Sequence, residues 1–244
     1  MSKGLLSIGG SAFSGCTNLK SINLPSSLTS IGNSAFYDCS SLSGSHVIPE
    51  GVTKLEDYTF YYCSSLEGVT LPDGLSSIGQ YAFTHCSSIE NIDIPDSVNN
   101  IGHGAFMGCS NLTGTIILPE GIEDLNIAVF ENCTNVEEFV LPMSLVSIKA
   151  EAFYQCTSIK KVHIPECVSE IGKMAFRKCN KLETIMINCI IPPTIAEDTF
   201  AENNYKRKFY VPIDAIERYL QAEVWKTYAK RIEGYDFEND KVVE

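Results

Sequence analysis

Residues 33–42 read "NSAFYDCSSL", and the chain spells this stretch again and again with only its free positions changed. "GSAFSGCTNL" (10–19) precedes it, and "QYAFTHCSSI" (80–89), "HGAFMGCSNL" (103–112) and "KMAFRKCNKL" (173–182) come after it. The phenylalanines set the register at Phe13, Phe36, Phe60, Phe83, Phe106, Phe130, Phe153, Phe176 and Phe200, always 23 or 24 positions apart. Eight of the nine are followed three positions later by cysteine: Cys16, Cys39, Cys63, Cys86, Cys109, Cys133, Cys156 and Cys179. A fixed period in this range is the signature of a solenoid, in which each unit buries its apolar face only against its neighbours.

The full unit runs from Leu19 through Ile22, Leu24, Pro25, Leu28, Ile31, Gly32, Ala35 and Phe36 to Cys39. Ile22 and Leu24 alternate, so both face inward from one short strand. Proline follows that strand, where its missing N–H breaks no ladder bond. Leu28 and Ile31 return to the core on another side. Ala35 is expected where a short helical turn packs too closely for a larger side chain, and Phe36 fills the middle of the coil. Burying one such ring contributes roughly 1.5–3 kcal/mol. The glycine slot holds Gly9, Gly32, Gly79, Gly102 and Gly172, but also Glu56, Asn126, Lys149 and Ala196. Glu and Lys settle poorly at positive φ, so the slot favours glycine for space or looseness rather than backbone geometry. Cys39 to Pro49 and Cys109 to Pro119 carry one extra residue, in the glycine-containing stretches "SLSGSHVIP" and "NLTGTIILP". A bulge is expected there.

This repeat resembles the BspA-like class of leucine-rich repeats, as found in Bacteroidetes, over about residues 5–203. The stretch "KFYVPIDAIERYLQAEVWKTYAKRI" (208–232) also resembles the end segment of such proteins. The expected fold is an α/β repeat: a right-handed leucine-rich-repeat solenoid with a parallel β-sheet on the concave face and short helical turns and strands on the others. Residues 1–204 form the array, with an incomplete first unit, and residues 205–244 form a C-terminal capping segment. The incomplete first unit suggests a chain that continues upstream. Phe209-Tyr210-Val211-Pro212 reads as a final strand, and Ile213, Ile216, Tyr219, Leu220, Trp225, Tyr228 and Ile232 as the apolar stripe of the segment beyond it. The resemblance implies a non-catalytic protein-binding or adhesion module, secreted or displayed on a bacterial cell surface. Its partner would be a protein, such as a host matrix or cell-surface protein. The pattern also occurs in protists, so an intracellular interaction scaffold is the alternative.

The ten cysteines invite a disulfide reading. Equivalent side chains on stacked coils point in parallel directions, whereas a bridge needs converging Cβ atoms. A reduced ladder of buried thiols is therefore expected, with Cys167 and Cys189 outside it and so the most accessible. His85 precedes Cys86, but adjacent residues rarely serve one site, and the ladder turns Cys86 inward. His46, His85, His103 and His163 fall in different repeats and slots, so no metal site is expected. No phosphate loop or hydrolase motif is present, so the chain reads as neither an enzyme nor a cofactor binder. A net charge of -12 argues against nucleic acid, and no apolar run is long enough to cross a membrane. His46 takes an inward slot held elsewhere by Ile22, Val69 and Ile92; the extra residue beside it is expected to rotate it to solvent, the alternative being a hydrogen-bonded buried imidazole.

Repeat arrays bind through outward positions that stacking leaves free. On the strand side these columns are acidic in the middle, through Glu67, Glu90, Asp93, Glu137 and Glu138 with Asn91 beside them. They turn basic at Lys160, Lys161 and His163. Val47, Ile117, Val140 and Met186 add apolar positions to the same face. These columns are the expected binding face.

Overall fold

Each coil has three sides, and each side is set by one part of the repeat. The computed structural model describes residues 4–242. One side carries nine two-residue strands, β1 (Ser7–Ile8), β2 (Ser30–Ile31), β4 (Lys54–Leu55), β6 (Ser77–Ile78), β7 (Asn100–Ile101), β9 (Asp124–Leu125), β11 (Ser147–Ile148), β13 (Glu170–Ile171) and β15 (Thr194–Ile195). Their pairings are all parallel, residue over equivalent residue: Ser77 lies between Lys54 and Asn100, and Ser147 between Asp124 and Glu170. The aliphatic residue of each pair points inward, and from Ile8 to Ile171 it is buried.

The second side carries the longer strands β3 (Gly44–Val47), β5 (Leu66–Thr70), β8 (Gly114–Ile117), β10 (Val136–Val140), β12 (Lys161–Ile164), β14 (Thr184–Ile187) and β16 (Lys208–Pro212). The continuous sheet expected here is interrupted. β3 pairs with β5 and β8 with β10, while β12, β14 and β16 belong to one set. Between β5 and β8 the intervening coil forms no named strand; a bridge from Gly68 to Asn91 and backbone bonds from Glu90 to Glu67 and from Thr113 to Glu90 link it to its neighbours. The register slips beside Gly44 and Gly114, which sit at φ +75° and +70°. The residues left without a partner in the ladder are Glu67 and Glu137, so the bulge expected in each long coil falls instead on the strand of the coil that follows it. A third long coil has the same spacing, from Cys179 to Cys189, with cysteine in place of proline. The three long coils end at the evenly spaced Phe60, Phe130 and Phe200, so a three-coil unit recurs along the array.

The third side is a run of tight turns around Ala-Phe, tied coil to coil by backbone bonds. In the coil of Phe13, Ser11 donates to Asn33, Phe13 to Ala35 and Gly15 to Tyr37, at 2.7–2.8 Å. Two positions per turn take left-handed backbone, and they are mostly not glycine: Ser34 and Asp38, Tyr58 and Tyr62, Glu151 and Gln155. The recurrent glycine slot has no positive φ. A Cβ at Gly79 or Gly102 would lie 2.5 Å from the backbone of the preceding coil. Space between coils is what selects glycine there.

The core is a column of phenylalanine rings. Successive centroids from Phe13 to Phe200 lie 5.0–6.0 Å apart with interplanar angles of 5–17°. The widest step, Phe130 to Phe153 at 6.0 Å, is where Phe139 from β10 packs its ring against both, at 4.8 and 4.7 Å.

The cysteines form a second column with a chemical reason of its own. Each Sγ donates to the phenylalanine carbonyl of the coil before it: Cys39 to Phe13, Cys63 to Phe36, Cys86 to Phe60 and onward to Cys179 and Phe153, at 3.0–3.2 Å. The same carbonyl also accepts the N–H of its own coil's cysteine, as Phe36 does from Cys39. Both lone pairs of a buried acceptor are thereby used. All ten cysteines are unpaired. Burial pushes the Cys39 thiol up to about 11 and Cys109 to about 12, and raises Cys63, Cys86, Cys133, Cys156 and Cys179 as well. Contrary to expectation, Cys189 is buried, donating to the carbonyls of Pro165 and Val168. Cys16 is exposed instead, alongside Cys167. Titration with an aromatic disulfide should therefore detect two thiols quickly in the native protein and all ten in denaturant. Rapid reaction of Cys189, or of any cysteine from Cys39 to Cys179 other than Cys167, would contradict the ladder.

His46 also departs from expectation. The bulge does not turn it outward; it pairs in register with inward-facing Val69 and is 9% exposed. Its Nδ1 lies 3.1 Å from the Ile22 carbonyl and its Nε2 3.1 Å from that of Ser43. A polar ring replaces an aliphatic side chain because a carbonyl stands within hydrogen-bond distance of each ring nitrogen, ready to accept whichever N–H the ring carries.

Beyond β16 the chain forms a 3-10 turn (Ile213–Ala215), the short helix α1 (Ile216–Gln221) and a 3-10 helix (Trp225–Arg231). β16 is not the last strand: β17 (Ile232–Asp236) pairs parallel with it, and β18 (Lys241–Val242) turns back antiparallel. Of the stripe, Tyr219, Trp225 and Tyr228 are buried, whereas Ile213 is exposed.

Candidate binding face

All nine expected binding residues are exposed and lie on the long-strand side. Glu67 is on β5, Glu137 and Glu138 on β10, and Lys161 and His163 on β12, with Lys160 just before it. Glu90, Asn91 and Asp93 lie in the coil that interrupts the sheet. The alternation of each strand does this placing: Ile92, Phe139 and Val162 point inward and their neighbours outward. The five ion pairs among the described residues involve none of the nine. Their charges are therefore available to a partner.

The two interruptions of the sheet open two hollows. One, of about 280 Å³, is lined by Val69, Thr70, Leu71, Asp73, Asn91, Asp93, Ile94 and Pro95. The other, of about 200 Å³, is lined by Glu138, Phe139, Val140, Leu141, Met143, Lys161, His163 and Pro165. They are copies of one another, since seven lining positions correspond at one constant separation of three coils, from Val69 and Phe139 to Pro95 and Pro165. Their chemistry has diverged. Where the first presents Thr70, Asp73, Asn91 and Asp93, the second presents Val140, Met143, Lys161 and His163.

Val47 and Ile117, separated by the same three coils, are 63% and 65% exposed, and Val140 is 42% exposed. Met186 is not part of this apolar set, being 5% exposed. It sits in register between His163 and Tyr210. The Phe237 ring stacks on His163 at 5.7 Å and Tyr235 packs edge-on against Tyr210, so the C-terminal segment shelters this column. Partial burial, with the Lys161 charge, lowers the His163 pKa. The basic flank at pH 7 is thus carried by Lys160 and Lys161.

The Cys86 thiol donates to the Phe60 carbonyl and burial raises its pKa, opposite to a nucleophile's requirement. Among the described residues no three His, Cys, Asp or Glu side chains gather as a metal site. Among the described residues no helix is long and apolar enough to cross a membrane. Sequence reasoning missed a tyrosine cluster on the turn side, although five of the eleven tyrosines fall between positions 37 and 81.

Parallel strands stacked coil on coil over phenylalanine and cysteine columns define a leucine-rich-repeat solenoid. The BspA type leucine rich repeat region matches in six copies, across residues 1–113, 40–145 and 113–221, and the chain belongs to this family. A leucine-rich repeat protein from Bacteroides ovatus is 28% identical with a TM-score of 0.71; the match covers 85% of this chain but 59% of that one. The T. pallidum leucine rich repeat protein is 31% identical with a TM-score of 0.56, covering 73% of this chain and 72% of that one. The pneumococcal vaccine antigen PcpA, 24% identical with a TM-score of 0.55 over 98% of this chain and 71% of its own, shares the fold. No curated protein matches the chain.

Proposed function

We propose that the chain is a non-catalytic binding module that adheres to proteins of a host or of other cells, displayed on a bacterial surface or secreted. The reading rests on family membership and on one observation: the paired hollows of the long-strand side, with unpaired charges around them and exposed aliphatic residues nearby. Inward residues are fixed by stacking, so only such outward columns can select a partner. Acidic residues Glu67, Glu90, Asp93, Glu137 and Glu138, with Asn91, form one end of the contact. Lys160, Lys161 and His163 form the other. Segregated charge of this kind orients and speeds an encounter more than it tightens the complex. An intracellular scaffold is the second reading, favoured by ten unpaired thiols, which suit a reducing compartment.

The test is a panel of host matrix proteins and whole cells presented to the immobilised chain. Once a ligand is found, Glu90, Asp93, Glu137 and Glu138 changed to Lys should slow association by about tenfold or more and invert its salt dependence. Glu123→Lys with Glu197→Lys, on other sides of the coil, is the control. Asp124 is unsuitable as a control because it is paired with Lys149. Equal loss per charge in the control would remove the long-strand side from consideration.

A further inference from the structure

The turn side of the coils around Phe36, Phe60 and Phe83 carries a cluster the long-strand face does not explain. Tyr37 stacks on Tyr61 at 4.8 Å and Tyr58 on Tyr81 at 5.2 Å. Tyr61 also contacts Tyr58 and Tyr62, and Tyr62 packs on His85 at 4.6 Å. Tyr37 and Tyr62 are exposed, at 36% and 43%.

The backbone does not ask for these residues. Tyr58, Tyr62, Tyr81 and His85 have φ of 54–59°, a region that bulky residues rarely occupy. The same two slots hold Gly15, Gly104 and Gly108 in other coils. The neighbouring coil accommodates the rings: a Cβ at Gly104 would meet the Tyr81 ring at 2.6 Å, and one at Gly108 would meet the His85 ring at 2.4 Å. Bulky rings thus recur at positions where glycine is easier, over a floor of glycine. The interior does not need them either, since the core column runs separately through Phe36, Phe60 and Phe83.

We propose that this tyrosine cluster is a second docking surface, for an extended, arginine- or lysine-bearing segment of a partner protein. Charge complementarity selects that occupant. Residues 33–38, 57–62, 80–85 and 103–108 contain no Lys or Arg, while Asp38, Glu56 and Asp57 border the rings. Asp38 occupies, one coil earlier, the slot that Tyr62 occupies, so a cation laid on the Tyr62 ring reaches that carboxylate as well. A guanidinium suits this arrangement, because it stacks on an aromatic face and hydrogen-bonds a carboxylate. The hydroxyls of Tyr37, Tyr58, Tyr61, Tyr62 and Tyr81 have no hydrogen-bond partner among the described residues, unlike those of Tyr219 and Tyr235, which donate to the Cys189 carbonyl and to Asp240. Tyrosine supplies rigid amphipathic contact at low entropic cost, which is why it concentrates in binding surfaces. A neutral glycan fits less well, because it leaves the bordering carboxylates of Asp38, Glu56 and Asp57 without a partner charge.

The test compares a labelled dodecapeptide of alternating Arg and Gly, its Glu-Gly counterpart and a neutral chitin hexasaccharide. Each is titrated against the wild-type chain and against Tyr37→Ser with Tyr62→Asn. That variant keeps the net charge of -12, so general attraction of a polycation to an acidic protein predicts no change. Asn tolerates the left-handed backbone, so the melting temperature should hold. The Arg-Gly peptide should bind the variant about tenfold more weakly than the wild type, and the Glu-Gly peptide should bind neither. Asp38→Asn, which keeps every ring, should also weaken the Arg-Gly peptide several-fold. Equal affinity of wild type and both variants would overturn the proposal. So would hexasaccharide binding lost with the rings, or a melting temperature that falls with them, which would make the cluster a glycan site or a structural clamp.

Discussion

Phe106→Ala should be among the most destabilising single substitutions in the chain, and it should divide its unfolding into two steps. The ring is buried and lies between Phe83 at 5.5 Å and Phe130 at 5.4 Å. Removing a buried phenylalanine costs about 3–5 kcal/mol, and loss of a stacked neighbour on each side places this site at the upper end. In a solenoid the consequence is not only local. Stability is a sum of coil terms and nearest-neighbour interfaces, and a cavity in the middle weakens both interfaces of one coil at once. The arrays before and after Phe106 then lose their coupling. The single tryptophan, Trp225, reports the C-terminal end, while far-ultraviolet circular dichroism reports all coils. In urea the two signals should coincide for the wild type and separate for Phe106→Ala. Phe13→Ala is the comparison: that ring is only partly buried and has one ring neighbour, Phe36, so its loss should cost about 1–2 kcal/mol and leave unfolding concerted. Equal effects at the two positions would mean that the column is not the coupling element.

Much of this was legible because a repeat states each physical requirement many times over. The spacing of Phe13 to Phe200 shows a solenoid, and a cysteine in one slot eight times over implies parallel thiols rather than bridges. The Glu and Lys that replace glycine at Glu56 and Lys149 already indicated that φ was not the requirement there; that space was follows only from the close approach of the coils at Gly79 and Gly102. What was hidden depends on contacts between positions that no period relates. His46 is buried because the Ile22 and Ser43 carbonyls meet its ring, and a meeting of groups from two coils is invisible in a slot alignment. Met186 is buried between His163 and Tyr210, against which Phe237 and Tyr235 pack from far downstream in the chain. The gaps in the sheet and their paired hollows recur every three coils, a pattern that a coil-by-coil reading averages away. The tyrosine cluster escaped because only the strand columns were read as surface, although positions flanking Ala-Phe are equally free of the core.

Deleting residues from 205 onward should make the chain aggregate. We propose that this segment closes the array as a cap rather than forming a domain of its own, and its contacts explain why. The phenylalanine column ends at Phe200, which is fully buried although no further Phe stacks beyond it. Its outer neighbours are Phe209 at 5.2 Å, Trp225 at 6.1 Å and Tyr228 at 6.3 Å, so an aromatic cluster stands where the next ring would be. Polar anchors fix that cluster to the last coil: the Trp225 indole donates to the Pro193 carbonyl at 2.7 Å, and the Tyr219 hydroxyl to that of Cys189 at 2.9 Å. Truncation removes these, bares Phe200 and leaves β14 as an open strand edge where β16 had been paired. Exposed apolar rings beside an unpaired parallel strand are a template for association between chains. Loss of several kcal/mol of packing from a chain of this size lowers the melting temperature by about 10 °C or more. Light scattering and size-exclusion chromatography would detect the association, and a thermal scan the loss. Trp225→Ala, which keeps β16 and β17, separates the two causes: it should lower the melting temperature by several degrees without inducing association. If the truncated chain elutes without aggregate and melts where the full chain does, the segment is an appendage and the aromatic cluster contributes nothing that the last coil needs.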